Sequence, residues 1–431
     1  MNKFKPFLKS PTTYIIFSGG FLVIVALATK IWPALIGLVG WGWEAHLYYV
    51  LYEKIHSGLL PYIDFFIEYP PLAPFFIVFP AGILGGLTEP DFDVLYSFWT
   101  LIVLFGGLLI SFKLILNLGV EKQKALWAVA FTLICSALSF NVMITRFDIF
   151  PAMFVTIGLL LYLNYVKNNR KLFLILAIIL LTLAACLKIY PLFILPIFAI
   201  NELVRKKWLS IAISMFVVVA VVSINLPFVL MGQENFEGFL KYQTQRDIQI
   251  ESVYASGLFV AEKVGLVKNH LDLQNGAFEI NNDYAKDLAK TPLPIIVILL
   301  TILYAVSFWI LQKRSSHSII VILSTLAVGI FVVFNKVFSP QYMVWLLLLI
   351  PLFSLTDFRE RKKLQKYLLI CFFLANFFTL LFFPFAYGAL IARDIIPVIY
   401  LLIRNVLLVA CLFMVGILLK KTTTPPLEQP E

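Results

Sequence analysis

Long apolar runs with brief polar breaks fill the chain from end to end. Tyr14–Leu38, Val94–Leu116, Ala125–Val142, Leu209–Met231, Ile295–Leu311 and Val398–Leu419 each hold enough consecutive apolar residues to cross a hydrocarbon layer as a helix. The pattern predicts an all-α polytopic membrane protein with about twelve spans. They are placed at 14–38, 93–116, 124–143, 148–166, 171–187, 188–202, 208–230, 293–311, 318–335, 341–356, 367–386 and 396–419. The first run is too long for a signal peptide and lacks a small-residue cleavage site, so it is expected to remain as an anchor.

Between these runs the polar segments are unequal. Two are large, 40–92 and 232–292, and the inner ones are short and basic. With the N-terminus inside, most of the 34 lysines and arginines fall on inner segments and few of the 24 acids do. That asymmetry orients the chain, with the two large loops outside and the tail 420–431 cytoplasmic. It also settles two ambiguous runs. "PLAPFFIVFPAGILGGL" (71–87) is short and rich in Pro and Gly, and counting it as a span would invert the charge rule downstream. It is expected to lie at the outer interface or to re-enter. The stretch 171–204 has basic clusters at both ends, so the chain must turn back within it, at "LKIYP".

Composition agrees. Of the 431 residues 61% are hydrophobic and 13% charged, against a charged fraction of about 25% in soluble proteins. A net charge of +10 would suggest nucleic acid in a soluble chain. Here the basic residues sit where a membrane protein keeps them, and no nucleic-acid partner is implied. The four cysteines lie in apolar runs without metal-ligand or disulfide spacing.

On this topology the unusual polar residues gather on the outer side. They are Glu44 and His46; Asp64 and Glu68 in "PYIDFFIEYPPL"; Arg146 and Asp148 in "TRFDIFP"; Lys188 in "LKIYP"; Arg246 and Glu251 in "QRDIQIES"; and Lys336 and Gln341 in "NKVFSPQY". Ionisable groups at the edge of the hydrocarbon are costly and point to function. Carboxylates can act as a general base or hold a metal, and Lys and Arg can hold a phosphate. Blander roles are open to each. Asp148 could cap a helix, Lys188 and Lys336 could reach to head groups, and the aromatics around Tyr48 could form an interfacial belt. "HLYYVLYEKIHSG" reads as an amphipathic surface helix ended by Gly58.

An acid followed four residues later by Tyr48, then Gly58, Pro61, Tyr62 and Asp64, then Glu68, Tyr69, Pro70 and Pro71, resembles the first outer loop of the GT-C glycosyltransferases. The likeness is closest to glycosyltransferase family 87, the branch with polyprenyl-phosphate-mannose-dependent mannosyltransferases. "RFD" with Asp148, "LKIYP" with Lys188, "RDIQIES", and "NKVFSPQY" with Ser339, Gln341 and the later Trp345 follow in the family's order, so the resemblance covers about 40–350.

The resemblance implies a GT-C-like fold with interfacial helices in the first outer loop. It implies a polyprenyl-phosphate sugar donor, a glycan or lipid acceptor, and inverting transfer on the outer face. A first-loop acid would be the base, in the order Glu44, Asp64, Glu68; the leading acid is usually Asp, and here it is Glu44. Asp148 would serve the acceptor or a metal. Lys188, Arg246 and Lys336, with Arg146, would hold the donor phosphate, and His46, Tyr48, Tyr69 and Gln341 would touch donor or acceptor. The branch includes metal-independent members, so no divalent metal is assigned. The alternatives are a transporter or flippase of lipid-linked glycans, expected to carry repeats and midplane charges, and a ligase or polymerase, which does not need an acid-rich first loop.

Overall fold

A computed structural model describes residues 19–20, 41–79, 81–274, 276–356 and 362–422. The expected first span therefore lies outside the described residues apart from Gly19 and Gly20, as does the tail beyond 422.

In the first large loop, α1 (Trp41–His56) is followed by an irregular segment and two short helices, α2 (Ala73–Val78) and α3 (Ala81–Leu84). Neither short helix could cross a membrane, because six residues rise only about 9 Å. The long helix α4 (Glu89–Asn117) starts cleanly. The Thr88 side chain accepts from the Asp91 N–H, a proline sits in the first turn, and Glu89 and Asp91 place negative charge there. Next come α5 (Lys122–Leu138), α6 (Phe140–Thr145), α7 (Ile149–Asn168), α8 (Lys171–Leu187), α9 (Leu195–Val204), α10 (Trp208–Ser223) and α11 (Leu226–Met231). The second large loop holds α12 (Gln233–Thr244), β1 (Ile248–Gln249), α13 (Val253–Lys263), β2 (His270–Gln274), β3 (Ala277–Asn281) and α14 (Asp283–Leu288). The chain closes with α15 (Pro292–Lys313), α16 (His317–Phe334), α17 (Tyr342–Leu347), α18 (Lys362–Leu380), α19 (Tyr387–Ile391) and α20 (Ile395–Thr422).

Among the described residues, six helices are long and apolar enough to cross a membrane: Glu89–Asn117, Ile149–Asn168, Asp283–Lys313, His317–Phe334, Lys363–Phe385 and Ile395–Lys420. The protein is thus a multi-pass, mainly helical membrane protein. The other predicted spans that fall in the described residues are shorter apolar helices, often broken near a proline such as Pro191, Pro227 or Pro351. The chain turns at Lys188, whose backbone is extended, and α9 returns alongside α7. Tyr162 and Tyr165 of α7 both donate to the buried Glu202 of α9, at 2.9 and 2.6 Å. The same end of the bundle gathers Lys167, which donates to the Asn117 carbonyl at 2.7 Å, and Arg205, paired with Glu202 at 2.9 Å.

The second large loop departs from the all-α expectation. It carries a three-stranded antiparallel sheet in the order β1-β3-β2, with Ile280 of β3 opposite both Ile248 and Leu271. Its apolar face packs Ile248, Ile250, Phe259 and Ile280 with Phe382, Leu390, Val398 and Leu401, fastening the loop to the last helices.

The two large loops meet at Gly232, between α11 and α12. A Cβ there would collide with the carbonyl oxygens of Tyr62 and Phe228. Asn235 of α12 donates to the same Tyr62 carbonyl at 2.7 Å. Gly232→Ala is therefore expected to force the first loop off α12 and to cost about 1–3 kcal/mol. Gly257→Ala, in open space on α13, should leave stability unchanged or slightly raised. Thermal unfolding of both variants in detergent checks this; equal melting temperatures would refute the close approach.

Candidate active site

The site begins where α7 starts and α8 ends. Asp148, at the first turn of α7, makes no cap to its own helix. Its carboxylate, 1% exposed, instead accepts from the Trp345 indole N–H at 2.8 Å and lies 3.6 Å from the Lys188 ammonium. The α7 N-terminus adds a favourable dipole for this charge. Lys188 sits over the rings of Phe147, Tyr69 and Trp345, at 4.8, 5.2 and 6.0 Å from their centroids. Trp345 itself stacks with Tyr190 and Tyr342, with centroids 4.2 and 3.9 Å away.

The first loop enters through aromatic contacts. Tyr69 meets Phe147 edge-on at 4.9 Å, and Tyr48 packs near Tyr69 and Tyr96, at 6.4 and 5.4 Å. The Tyr62 hydroxyl donates to the Tyr69 carbonyl at 2.5 Å, which fixes the intervening turn. Glu68 is half-buried; its Oε2 accepts from the Tyr242 hydroxyl at 2.5 Å, and its backbone carbonyl accepts from Gln243. Lys188 lies in the field of Glu68 and Arg146 as well as Asp148.

The second large loop supplies the next layer. Arg246 pairs with the buried Glu279 of β3 at 3.0 Å. Burial works against its charge, but Tyr242, Tyr342 and Glu279 outweigh that and hold its pKa above the usual range. Burial pushes the Arg146 guanidinium down to about 10, with Asp148 and Glu251 opposing, so it stays cationic at neutral pH. Lys336 donates to the Thr244 carbonyl at 3.1 Å, and Gln341 is buried at the start of α17.

The predicted residues thus divide. Glu68, Tyr69, Arg146, Asp148 and Lys188 converge, with Tyr48 behind them and Arg246, Lys336 and Gln341 along one side. Asp64 stays out: it is exposed, and its carboxylate accepts from the Leu60 N–H at 2.7 Å to close a local turn. His46 also stays out, paired with Glu89 at 3.0 Å on the surface. Glu44 lies in α1, one turn before Tyr48, and its side chain is outside the described residues. Among the described residues no group of three His, Cys, Asp or Glu side chains converges to hold a metal ion.

The family model for glycosyltransferase family 87 matches residues 66–315, more than half of the chain. The chain belongs to glycosyltransferase family 87. No curated protein matches it. Family 87 enzymes are glycosyltransferases, and the matched stretch includes Glu68, Tyr69, Arg146, Asp148, Lys188 and Arg246. Trp345, Lys336 and Gln341 lie beyond it.

Two residues of this candidate site escape sequence reasoning. Tyr242 and Glu279 partner Glu68 and Arg246, yet they sit in a polar helix and a short strand with nothing to single them out. Glu251 and Arg404 form a further layer. The Tyr387 hydroxyl donates to the Glu251 carboxylate at 2.8 Å, and Arg404, 0% exposed, donates to the Glu251 backbone carbonyl at 2.7 Å. A transporter would set such a membrane cation against its opposite half; here it anchors a loop.

Burial raises the Glu251 carboxyl from an ordinary 4.5 to about 7, against the Tyr387 and Arg404 contributions. The folded chain then keeps a proton that the unfolded chain has released. Its stabilising effect is complete below about 4.5, declines as pH rises to about 7, and is gone above. Melting temperatures from about pH 5 to about pH 8 should fall through that window in the native protein and be flatter in Glu251→Gln. Parallel profiles would remove Glu251 as the source.

Proposed function

We propose that this family 87 enzyme moves a monosaccharide, mannose or another hexose, from a polyprenyl-phosphate donor to a hydroxyl of a glycan or lipid acceptor on the outer face of the cell membrane. The observation that carries the reading is the buried Asp148–Lys188 pair beneath Trp345, with Glu68 and Arg146 beside it. Both charge types needed for transfer from a phosphate meet there, at the end of the bundle opposite the basic clusters.

The acceptor hydroxyl attacks the anomeric carbon from the side opposite the phosphate, so the configuration inverts. A first-loop carboxylate takes its proton, the bond from acceptor oxygen to anomeric carbon forms, and the bond to phosphate oxygen breaks. Polyprenyl phosphate leaves with the electron pair, held by Lys188 and Arg146, with Arg246 and Lys336 further along. Fixed cations facing the departing charge lower the barrier without reorganising. Of the first-loop acids, Glu68 is the one whose surroundings suit the base; Glu44 is the second candidate. Asp64, tied into its own turn, is not. Asp148, already bound to Lys188 and Trp345, orients the lysine and meets the acceptor.

A panel of polyprenyl-phosphate sugars given to purified protein should reveal transfer of one of them. Glu68→Gln should then lower kcat by about 10²–10⁴-fold, with Asp64→Asn near native. Lys188→Ala should raise the donor KM about tenfold or more, with partial recovery in Lys188→Arg. Full activity in both Glu44→Gln and Glu68→Gln would eliminate a first-loop base, and an inert panel would eliminate the donor class. For orientation, Phe66→Cys, at an exposed first-loop position, should label with impermeant reagent on intact cells; labelling only after permeabilisation would put the site inside.

A further inference from the structure

The second large loop holds an apolar tip that its own fold does not use. Helix α13 ends in a Schellman turn: the Gly265 N–H donates to the Glu262 carbonyl at 3.0 Å and the Leu266 N–H to the Ala261 carbonyl at 2.9 Å. Gly265 supplies the left-handed residue that this turn needs, with φ of 78°. In such turns the residue at the Leu266 position commonly packs back on the helix. Here Leu266 is 75% exposed and Val264 is 65% exposed. Lys263 and Lys268, both exposed, bracket them in "KVGLVK".

The tip is rigidly aimed. Arg393 donates to Glu262 at 2.8 Å and to the Asn269 carbonyl at 2.7 Å, gripping both of its ends. Asn269 also donates to Glu262 and to the Leu258 carbonyl, each at 3.0 Å. Arg393 lies two residues before Ile395, where the last membrane-spanning helix begins. The other end of α13 meets the same helix deeper down: Asn405 donates to the Ser252 carbonyl at 3.0 Å and to the Ser256 hydroxyl at 2.6 Å. So α13 runs antiparallel along the first turns of α20, and its tip emerges level with the start of the span. Ile395, Ile396 and Ile399 are exposed at that level, as expected of a surface that faces lipid.

We infer that residues 263–268 dip into the bilayer at the boundary between head groups and acyl chains. Val264 and Leu266 enter the apolar layer, and Lys263 and Lys268 meet lipid phosphates. An apolar tip flanked by cations is the composition that interfacial segments use. The consequence is a fixed depth for the loop that carries Arg246 and Glu251.

The test places an environment-sensitive fluorophore on Leu266→Cys in a Cys371→Ser background, with the full-length protein in vesicles of phosphatidylcholine and phosphatidylglycerol. Nitroxide lipids labelled near the head group should lower emission roughly twofold, while aqueous iodide does little. Quenching by iodide and not by the lipids would overturn the inference. Protection from both quenchers would overturn it in favour of a protein contact. Adding phosphatidylglycerol should strengthen the lipid quenching in the native lysine background and not in Lys263→Gln/Lys268→Gln. An equal response in both would overturn the electrostatic part.

Discussion

The Asp148–Lys188 ion pair is the contact on which the polar half of this protein is built. Burying two opposite charges carries a desolvation cost that attraction alone offsets poorly. The surrounding residues are arranged to make up the difference. The α7 dipole and the Trp345 indole N–H serve the carboxylate, and three ring faces serve the ammonium. These groups come from the first loop, the α6–α7 junction, the α8–α9 turn and α17. A single pair therefore sets the register of four segments that are far apart in the chain.

Outward from the pair, each layer is fixed by the one beneath it. Tyr69 on Phe147 positions Glu68; Glu68 receives Tyr242 of α12; and α12 leads into Arg246, which Glu279 holds from the sheet. The sheet in turn is moored to the membrane helices by Arg404, which donates to the Glu251 carbonyl while its guanidinium lies 4.0 Å from the Phe338 ring centroid. The loop of about sixty residues thus sets Arg246 beside the candidate site and carries its own anchorage.

How much of this could be read from the sequence follows from the range of each interaction. Apolar runs and basic clusters are local signals, and they give the helical membrane character and the turn at Lys188. Charge convergence singled out Arg146, Asp148 and Lys188, because a buried charge is conspicuous wherever it falls. Span count was less legible. Runs such as 341–356 have the composition of a span, yet proline and short-range helical turns break them into a six-residue α-helix and a 3₁₀ segment. The sheet left a signal in "HLDLQNGAFEIN", where an Asn-Gly pair between alternating residues is a hairpin pattern in the sequence. The membrane pattern around it argues for helix and hides it. The separation of Glu68 from Asp64 was not legible at all. Both are acids in one irregular loop, and only the fold shows that one closes its own turn while the other meets Tyr242.

Depth links the architecture to the proposed chemistry. Tyr96 lies seven residues inside α4, about 10 Å below its start, yet Asp148 and Tyr48 are its electrostatic neighbours. Arg404 lies nine residues inside α20, about 14 Å below its start, yet it holds the backbone of the second large loop. The start of α7 is therefore set below the start of α4, and the second large loop descends beside α20. A site on a flat surface would draw a phosphate head away from its lipid tail into water. A site sunk by about two helical turns lets the head reach fixed charges while the tail stays in hydrocarbon. The buried pair can persist at that depth because the rings of Tyr69, Phe147 and Trp345 around it exclude water, which strengthens every charge contact it makes.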